Sequence, residues 1–302
     1  MTDLFSKYRY HLALLVAGFS FSFLGVFSVL LTAQGVDLFS QIFYRVLFSA
    51  IFSAFFAVVV FKQKLILNLR ESKYILINSL AFLGGVTTFS TGIFLGTPIA
   101  KAIALNYAYP LTIMALSFWF FKDRPTLKGW AAIVLSLISV WFMLEIWSIS
   151  SLAVIDKGSI LEFANSFFFG FMIVFGRKMR LDLDIHPFRV MFFTFAFLVL
   201  EFWVMAFLLN ILGITLFKPA INLELKIESW ISLVGISFLG SIVPLALIYF
   251  CANKVKAHVS SVLLLSEPFW GYILGLILFG QVLTIWGLLG MIGIVLSVLL
   301  VE

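Results

Sequence analysis

The chain has 302 residues, 63% hydrophobic and only 11% charged, with a net charge of +6 and a mean hydropathy of +1.16. Soluble domains carry about 25% charged residues, and a water-facing surface cannot absorb this much apolar side chain. The composition therefore specifies an integral membrane protein and excludes a nucleic-acid-binding domain, and the lone Cys251 excludes an intramolecular disulfide scaffold.

Taken in chain order, apolar runs long enough to cross a bilayer, about 17–25 residues, fall at 11–32, 38–61, 74–95, 98–121, 127–146, 158–176, 188–211, 229–251, 259–279 and 283–301. Each is expected to be a helix, because a lipid-exposed backbone must satisfy its hydrogen bonds internally. The first run is too long for a cleaved leader and no small-residue cleavage site follows it. With the N-terminus placed in the cytoplasm, fifteen Lys and Arg fall on the inner side and four on the outer side, with Arg45 inside a span. That bias predicts cytoplasmic termini. The longest loop, 212–228, then faces outward, and no segment is long enough for a separate soluble domain.

The two halves resemble each other. A shift of 158 residues places Pro110 on Pro268, Phe121 on Phe279, Thr126 on Thr284, Gly129 on Gly287 and Ser139 on Ser297. A shift of 144 places the run from Tyr44 to Phe48 on the run from Phe188 to Phe192, aligning Arg45 with Arg189. The repeats are expected at 1–146 and 158–302. With five helices in each, the second copy enters the membrane from the opposite side. The expected fold is all-α integral membrane, ten transmembrane helices as two inverted five-helix repeats. Inverted repeats can exchange conformations around a midplane site, the geometry of secondary transport.

These residues give the chain its resemblance to the EamA-type members of the drug/metabolite transporter superfamily. The resemblance lies in the Arg early in each second helix, the proline in each fourth helix, Ser266-Glu267-Pro268, and the Gly-initiated fifth helices at Gly129 and Gly287. The loop after the fourth helix reads Lys122-Asp123-Arg124-Pro125-Thr126 in the first copy. In the second copy Gln281 replaces the acidic residue. The resemblance implies a ten-helix basket around a central cavity, built mainly from the first, third, fourth, sixth, eighth and ninth helices. It also implies movement of small metabolites, across a family whose solutes range from amino acids to nucleotide sugars and quaternary amines.

Candidate site residues cluster near the two matched prolines. Pro110 and Pro268, expected mid-helix, remove an amide donor and free the carbonyls of Asn106 and Leu264. Pro244 does the same for Gly240 without a counterpart in the first half. Asn106, Tyr107 and Tyr109 supply donors, acceptors and aromatic faces beside Pro110. Glu267 and Glu201 are expected to be the deepest carboxylates. Glu267, beside the kink, suits a cationic solute or a proton, and Trp270 suits a cation-π wall. Arg45 and Arg189 are expected to share a structural or gating task, such as holding carbonyls at a helix end. Gly92-x-x-x-Gly96 and Gly271-x-x-x-Gly275 suit close helix packing.

The sequence thus predicts a permease of the bacterial inner membrane. It would move a small metabolite, such as an amino acid, a quaternary amine or a nucleobase, by alternating access. Its partners are the solute, the bilayer and a coupling proton or ion; no cofactor, metal or nucleic acid is expected. The alternatives are an intramembrane enzyme hydrolysing lipid or peptide through Ser20 or Ser237, and a channel. Ser20 and Ser237 lack a nearby base in the sequence pattern, and no charged ring suggests a pore.

Overall fold

The computed structural model describes residues 2–300 apart from 96, 98, 124–125, 149–155, 184, 214–216 and 281. Gly96, Arg124, Pro125 and Gln281 lie outside the described residues. Among the described residues the regular structure is entirely helical. The first half runs α1 (Thr2–Ala33), α2 (Leu38–Phe55), α3 (Leu69–Phe94), α4 (Ile99–Asn106), α5 (Tyr109–Phe121) and α6 (Leu127–Met143). The second runs α7 (Lys157–Asp182), α8 (Pro187–Ile211), α9 (Ile227–Ser237), α10 (Val243–Cys251), α11 (Ala257–Leu264), α12 (Ser266–Phe279) and α13 (Ile285–Leu300).

Seven stretches are helical, long and apolar enough to cross a membrane, counted among the described residues. Three of them are composite, the first because α2 runs on into a π turn at Phe56–Val60. α9 joins α10 through a wide π turn at Phe238–Ile242, and α11 meets α12 at Leu265. α6 and α13 are apolar but shorter, and the expected fourth span is divided between α4 and α5.

Local chemistry sets these boundaries. Asp37, Thr126 and Asp156 cap α2, α6 and α7 by accepting the backbone N–H groups of Ser40, Gly129 and Ser159 at 2.9, 3.1 and 2.7 Å. Thr284 accepts from Gly287 N at 3.0 Å ahead of α13, the same contact that Thr126 makes ahead of α6. Helices α5 and α12 both end on a left-handed residue, Lys122 at φ 57° and Gly280 at φ 63°. Lys122 occupies a conformation that glycine adopts at less cost.

Pro110, Pro268 and Pro244 were expected in helix interiors. All three instead stand in the first turn of a new helical segment. A proline there loses a donor that has no intrahelical partner anyway. Its ring excludes the carbonyl four residues earlier, so α4 and α11 stop before Pro110 and Pro268, while the helix before Pro244 widens into the π turn and runs on. Before Pro110 the chain makes a tight turn, with Ala108 N donating to Leu105 O at 3.2 Å. Before Pro268, Leu265 N is shared between Ser261 O and Val262 O, both at 3.1 Å.

Packing pairs the halves crosswise: α1 against α9, α10 and α12; α3 against α7; α2 against α8; and α6 against α13. Glycines permit the closest approaches. A Cβ on Gly290 of α13 would stand 2.5 Å from Ser139 O and 2.8 Å from Met143 N of α6. Gly18 of α1 lies against the α11–α12 break, where a Cβ would come 3.2 Å from Glu267 N. Gly170 of α7 lies against the start of α5, with Tyr109 O at 3.2 Å from such a Cβ.

Candidate solute-binding site

The two helix breaks meet at the floor of a cavity of about 530 Å³. Its walls come from α1, α2, α3, α7, α10, α12 and the α4–α5 break. The cavity extends from the breaks toward the C-terminal end of α1, where Thr32 and Ala33 line it. Most of the wall is apolar, with Phe21, Phe82, Phe89, Phe168 and Phe169 contributing rings.

Polar groups converge at the floor. Asn165 Nδ2 of α7 donates to Asn106 Oδ1 at 2.8 Å, and the Tyr107 hydroxyl donates to the Glu267 carboxylate. All four residues line the cavity. A broken helix brings Asn106 and Tyr107 inward at its end, where an unbroken helix would turn them along its surface. Discontinuous helices of this kind are how membrane proteins place polar groups at depth.

Arg45 supplies the positive side. Its Nε donates to Ser241 Oγ at 3.0 Å, inside the π turn, and Ser20 Oγ donates to Leu239 O in the same turn at 2.5 Å. The wide turn absorbs the missing donor of Pro244, and Ser20 satisfies a carbonyl it displaces. Arg189 does not share this task. It pairs with Glu71 at 2.7 Å and donates to Ile66 O, at the opposite end of the bundle. The matched arginines therefore diverge: Arg189 holds a loop carbonyl and Glu71, while Arg45 lines the cavity.

Of the other expected residues, Tyr109 is 1% exposed and lies beside the floor. Its ring packs edge-on to Phe169 and its hydroxyl donates to Ser261 O at 3.4 Å. Pro110 and Pro268 create the breaks without lining the cavity. Trp270 is not part of the cavity wall either; it packs edge-on to Phe19 and Phe269. Trp270, one turn beyond Glu267, is directed along the α1 seam by its contact with Phe19. Glu201 accepts from Ser79 Oγ at 2.6 Å, between α3 and α8. The least exposed carboxylate among the described residues is Glu162, at 0% exposure. Sequence reasoning also missed Asn165. Glu162, Asn165 and Phe169 are spaced i, i+3, i+7 on one face of α7, a signal that was available.

Beyond the floor, polar side chains link neighbouring helices. Asn78 Nδ2 donates to the Tyr249 hydroxyl at 2.8 Å, and the Tyr249 ring fills the space beside Gly176, 2.7 Å from where a Cβ would stand. Further along, Arg177 pairs with Asp123 at 2.6 Å, and Asp182 accepts from Tyr74 and Lys178 at 2.6 and 2.7 Å. The serines of the hydrolase alternative are committed elsewhere. Ser20 donates to Leu239 O as above, and Ser237 donates to Leu233 O at 2.6 Å.

Comparison with known proteins gives a consistent result. The EamA-like transporter family matches the chain twice, at residues 9–145 and 156–302. An "Uncharacterized transporter" from Archaeoglobus fulgidus is 24% identical over 194 residues, which span 64% of this chain and 63% of that protein. One solved crystal structure superposes with a TM-score of 0.75, covering 97% of this chain and 96% of its own, at 14% identity. At that identity the likeness shows the fold alone.

Proposed function

The chain belongs to the EamA-like transporter family, a multi-pass membrane transporter, and from that premise we propose that it moves a small metabolite through the central cavity by alternating access. Two inverted five-helix repeats, 1–146 and 158–302, form ten spans, with α4–α5, α9–α10 and α11–α12 each counting as one. The observation that carries this reading is the convergence of two matched helix breaks on one half-open cavity. The matched caps at Thr126 and Thr284, the matched left-handed ends at Lys122 and Gly280, and the crosswise packing support it.

The cavity offers Glu267 to a cationic group, Arg45 to an anionic one, and Asn106, Tyr107 and Asn165 to neutral polar atoms. Aromatic walls accept an apolar remainder. Such a site fits an amino acid, a quaternary amine or a nucleobase. Charge asymmetry of the loops places both termini in the cytoplasm of a cell whose inner membrane holds the protein. The cavity then opens outward, and the Asn78–Tyr249 contact with the ion pairs beyond it forms the closed inner gate. Exchange of gates converts this state into its inward-open counterpart.

The test is a thermal-shift screen of purified protein against amino acids, quaternary amines and nucleobases, followed by counterflow of each hit in proteoliposomes. Binding to the folded state raises apparent stability. A hit that shows saturable counterflow supports the reading. Hydrolysis of lipid or peptide, lost on replacing Ser20 or Ser237, would favour the enzyme alternative.

A further inference from the structure

The α3–α7 seam holds a carboxyl group that the solute cavity does not use. Glu162 is 0% exposed, and neither of its carboxyl oxygens has a hydrogen-bond partner among the described residues. It rests against Gly92 of α3, whose missing side chain makes the space: a Cβ there would stand 2.9 Å from Glu162 Cδ. The same seam takes Phe168 against Gly84 and Asn165 against Gly85. Three successive knobs of α7 therefore enter three glycine positions of α3. One turn nearer the start of α7, Gly158 approaches Gly92 O, 3.0 Å from where its Cβ would be. The buried Thr97 Oγ1 lies against Gly158 and also has no hydrogen-bond partner.

We propose that Glu162 is a proton-binding site that latches the α3–α7 seam: closed when protonated, opened by water when deprotonated. An ionised carboxylate buried without a partner is strongly disfavoured, and a neutral carboxyl is not. The α3–α7 packing seen here is therefore the arrangement of the protonated side chain. One O–H bond forms when a proton arrives from the aqueous phase and breaks when water reaches the seam; no other bond changes. The ionisable residues on the elements around the outer half of α7 are Lys101 on α4, Tyr109 on α5, and Asp156 and Lys157 at its own start. Asp156 is engaged in capping Ser159. Along the facing stretch of α3, residues 84–94, there is no ionisable residue. Tyr249 of α10 and His258 of α11 meet α7 farther along, near Gly176 and Arg177.

The latch lies one helical turn from the cavity, because Asn165 is three residues beyond Glu162 and donates to Asn106 at the cavity floor. Phe89 and Gly85, which line the cavity, belong to the same face of α3 as Gly92. Movement of the seam is thereby transmitted to the solute site. That last step rests on the transport reading above; the proton site itself does not.

Two measurements on the full-length purified protein test it without any solute. In the infrared, the difference between the wild type and Glu162→Gln at neutral pH should contain one protonated-carboxyl stretch, the contributions of Glu201 and Glu267 cancelling. In hydrogen exchange, opening of segments 84–94 and 157–168, corrected for the intrinsic effect of pH, should increase with pH. Coupling to one proton allows up to about tenfold per pH unit. Glu162→Gln should flatten that slope, and Glu162→Asp should restore it. A wild-type minus Glu162→Gln difference spectrum without that band, or an unchanged slope in the variant, overturns the proposal. A flat wild-type profile overturns it with no variant needed. Neither readout depends on transport, so a protein that moved no solute would fail the transport reading and leave these results to stand.

Discussion

Replacing Glu267 by Gln separates charge from shape at the cavity floor. The amide keeps an oxygen to accept from Tyr107, so the hydrogen bond between the α4–α5 break and α12 survives, and the empty protein should melt as the wild type does. What disappears is the negative charge. Two unit charges at 4 Å attract by about 4 kcal/mol at an effective dielectric near 20. Part of that is offset by desolvation of the solute cation, and a hydrogen bond to a charged group exceeds a neutral one by only about 1–2 kcal/mol. A net loss of about 1.4–2.8 kcal/mol, or 10- to 100-fold in affinity, is the expectation for a cationic solute. Isothermal titration would compare the strongest-binding cation from the screen with its uncharged carbon isostere. The cation should weaken within that range, and the isostere by less than about threefold, since it loses at most a neutral hydrogen bond. Equal losses for the two ligands, or no loss for the cation, would refute a charge role for Glu267. The Asn106–Tyr107–Asn165 group would then carry recognition alone.

Four further outcomes follow from the packing and the loops. Cysteines introduced at 219–226 should react with an impermeant maleimide from outside intact cells, and cysteines at 63–67 should not; the reverse pattern would invert the topology. Gly290→Leu should destabilise the α6–α13 contact by about 1–3 kcal/mol, as overpacking does, read as an earlier midpoint in detergent-titrated unfolding. Thr126→Val and Thr284→Val should each cost about 1 kcal/mol by removing a matched N-cap, again read from the unfolding midpoint. Burial, followed by the nearby Arg180, holds the His186 imidazole below its usual value. The unfolded chain therefore binds more protons than the folded one, so this contribution to stability is complete above about pH 6.5 and is lost as pH falls through the folded value. His186→Phe, set among Phe61, Phe188 and Phe250, should flatten that part of the pH profile.

Membrane character, the positions of seven of the ten expected spans and the double occurrence of Pro110/Pro268, Thr126/Thr284 and Gly129/Gly287 were legible in the sequence. Apolar run length and proline position are local properties that survive folding. The consequence of the prolines was less legible. Sequence alone suggested bent helices with spare carbonyls, whereas the chain stops and restarts, because a tight turn at Tyr107–Ala108 meets its backbone needs internally. Glu162 did not stand out in the sequence, because nothing near it in the chain marks it as buried. Its burial depends on Gly92, which lies seventy residues earlier. Trp270 was misplaced for the converse reason: proximity to Pro268 in sequence says nothing about which side of α12 a ring occupies. Arg45 and Arg189 matched in sequence and separated in role: Arg45 reaches Ser241 in the α9–α10 π turn, whereas Arg189 is held by Glu71 and the Ile66 carbonyl.

On the two-repeat reading, features shared by the halves specify the scaffold and features that differ specify the solute. The caps, the left-handed helix ends and the glycines Gly18 and Gly170 recur because both copies must pack the same way. At the breaks the halves part company: Asn106 corresponds to Leu264, and Tyr109 to Glu267. Polarity at the floor is therefore one-sided, with an amide contributed by the first half's break and a carboxylate by the second's. A solute bound there would meet unlike groups from the two repeats, and would keep one orientation while the surrounding helices exchange roles. An exchange of these groups between the halves, Asn106→Leu with Leu264→Asn and Tyr109→Glu with Glu267→Tyr, preserves composition and reverses that asymmetry. If recognition depends on which repeat presents each group, the fourfold variant should fold but lose affinity for the wild-type solute. If it keeps wild-type affinity, the asymmetry is incidental and recognition lies in the common wall of α1, α3 and α7.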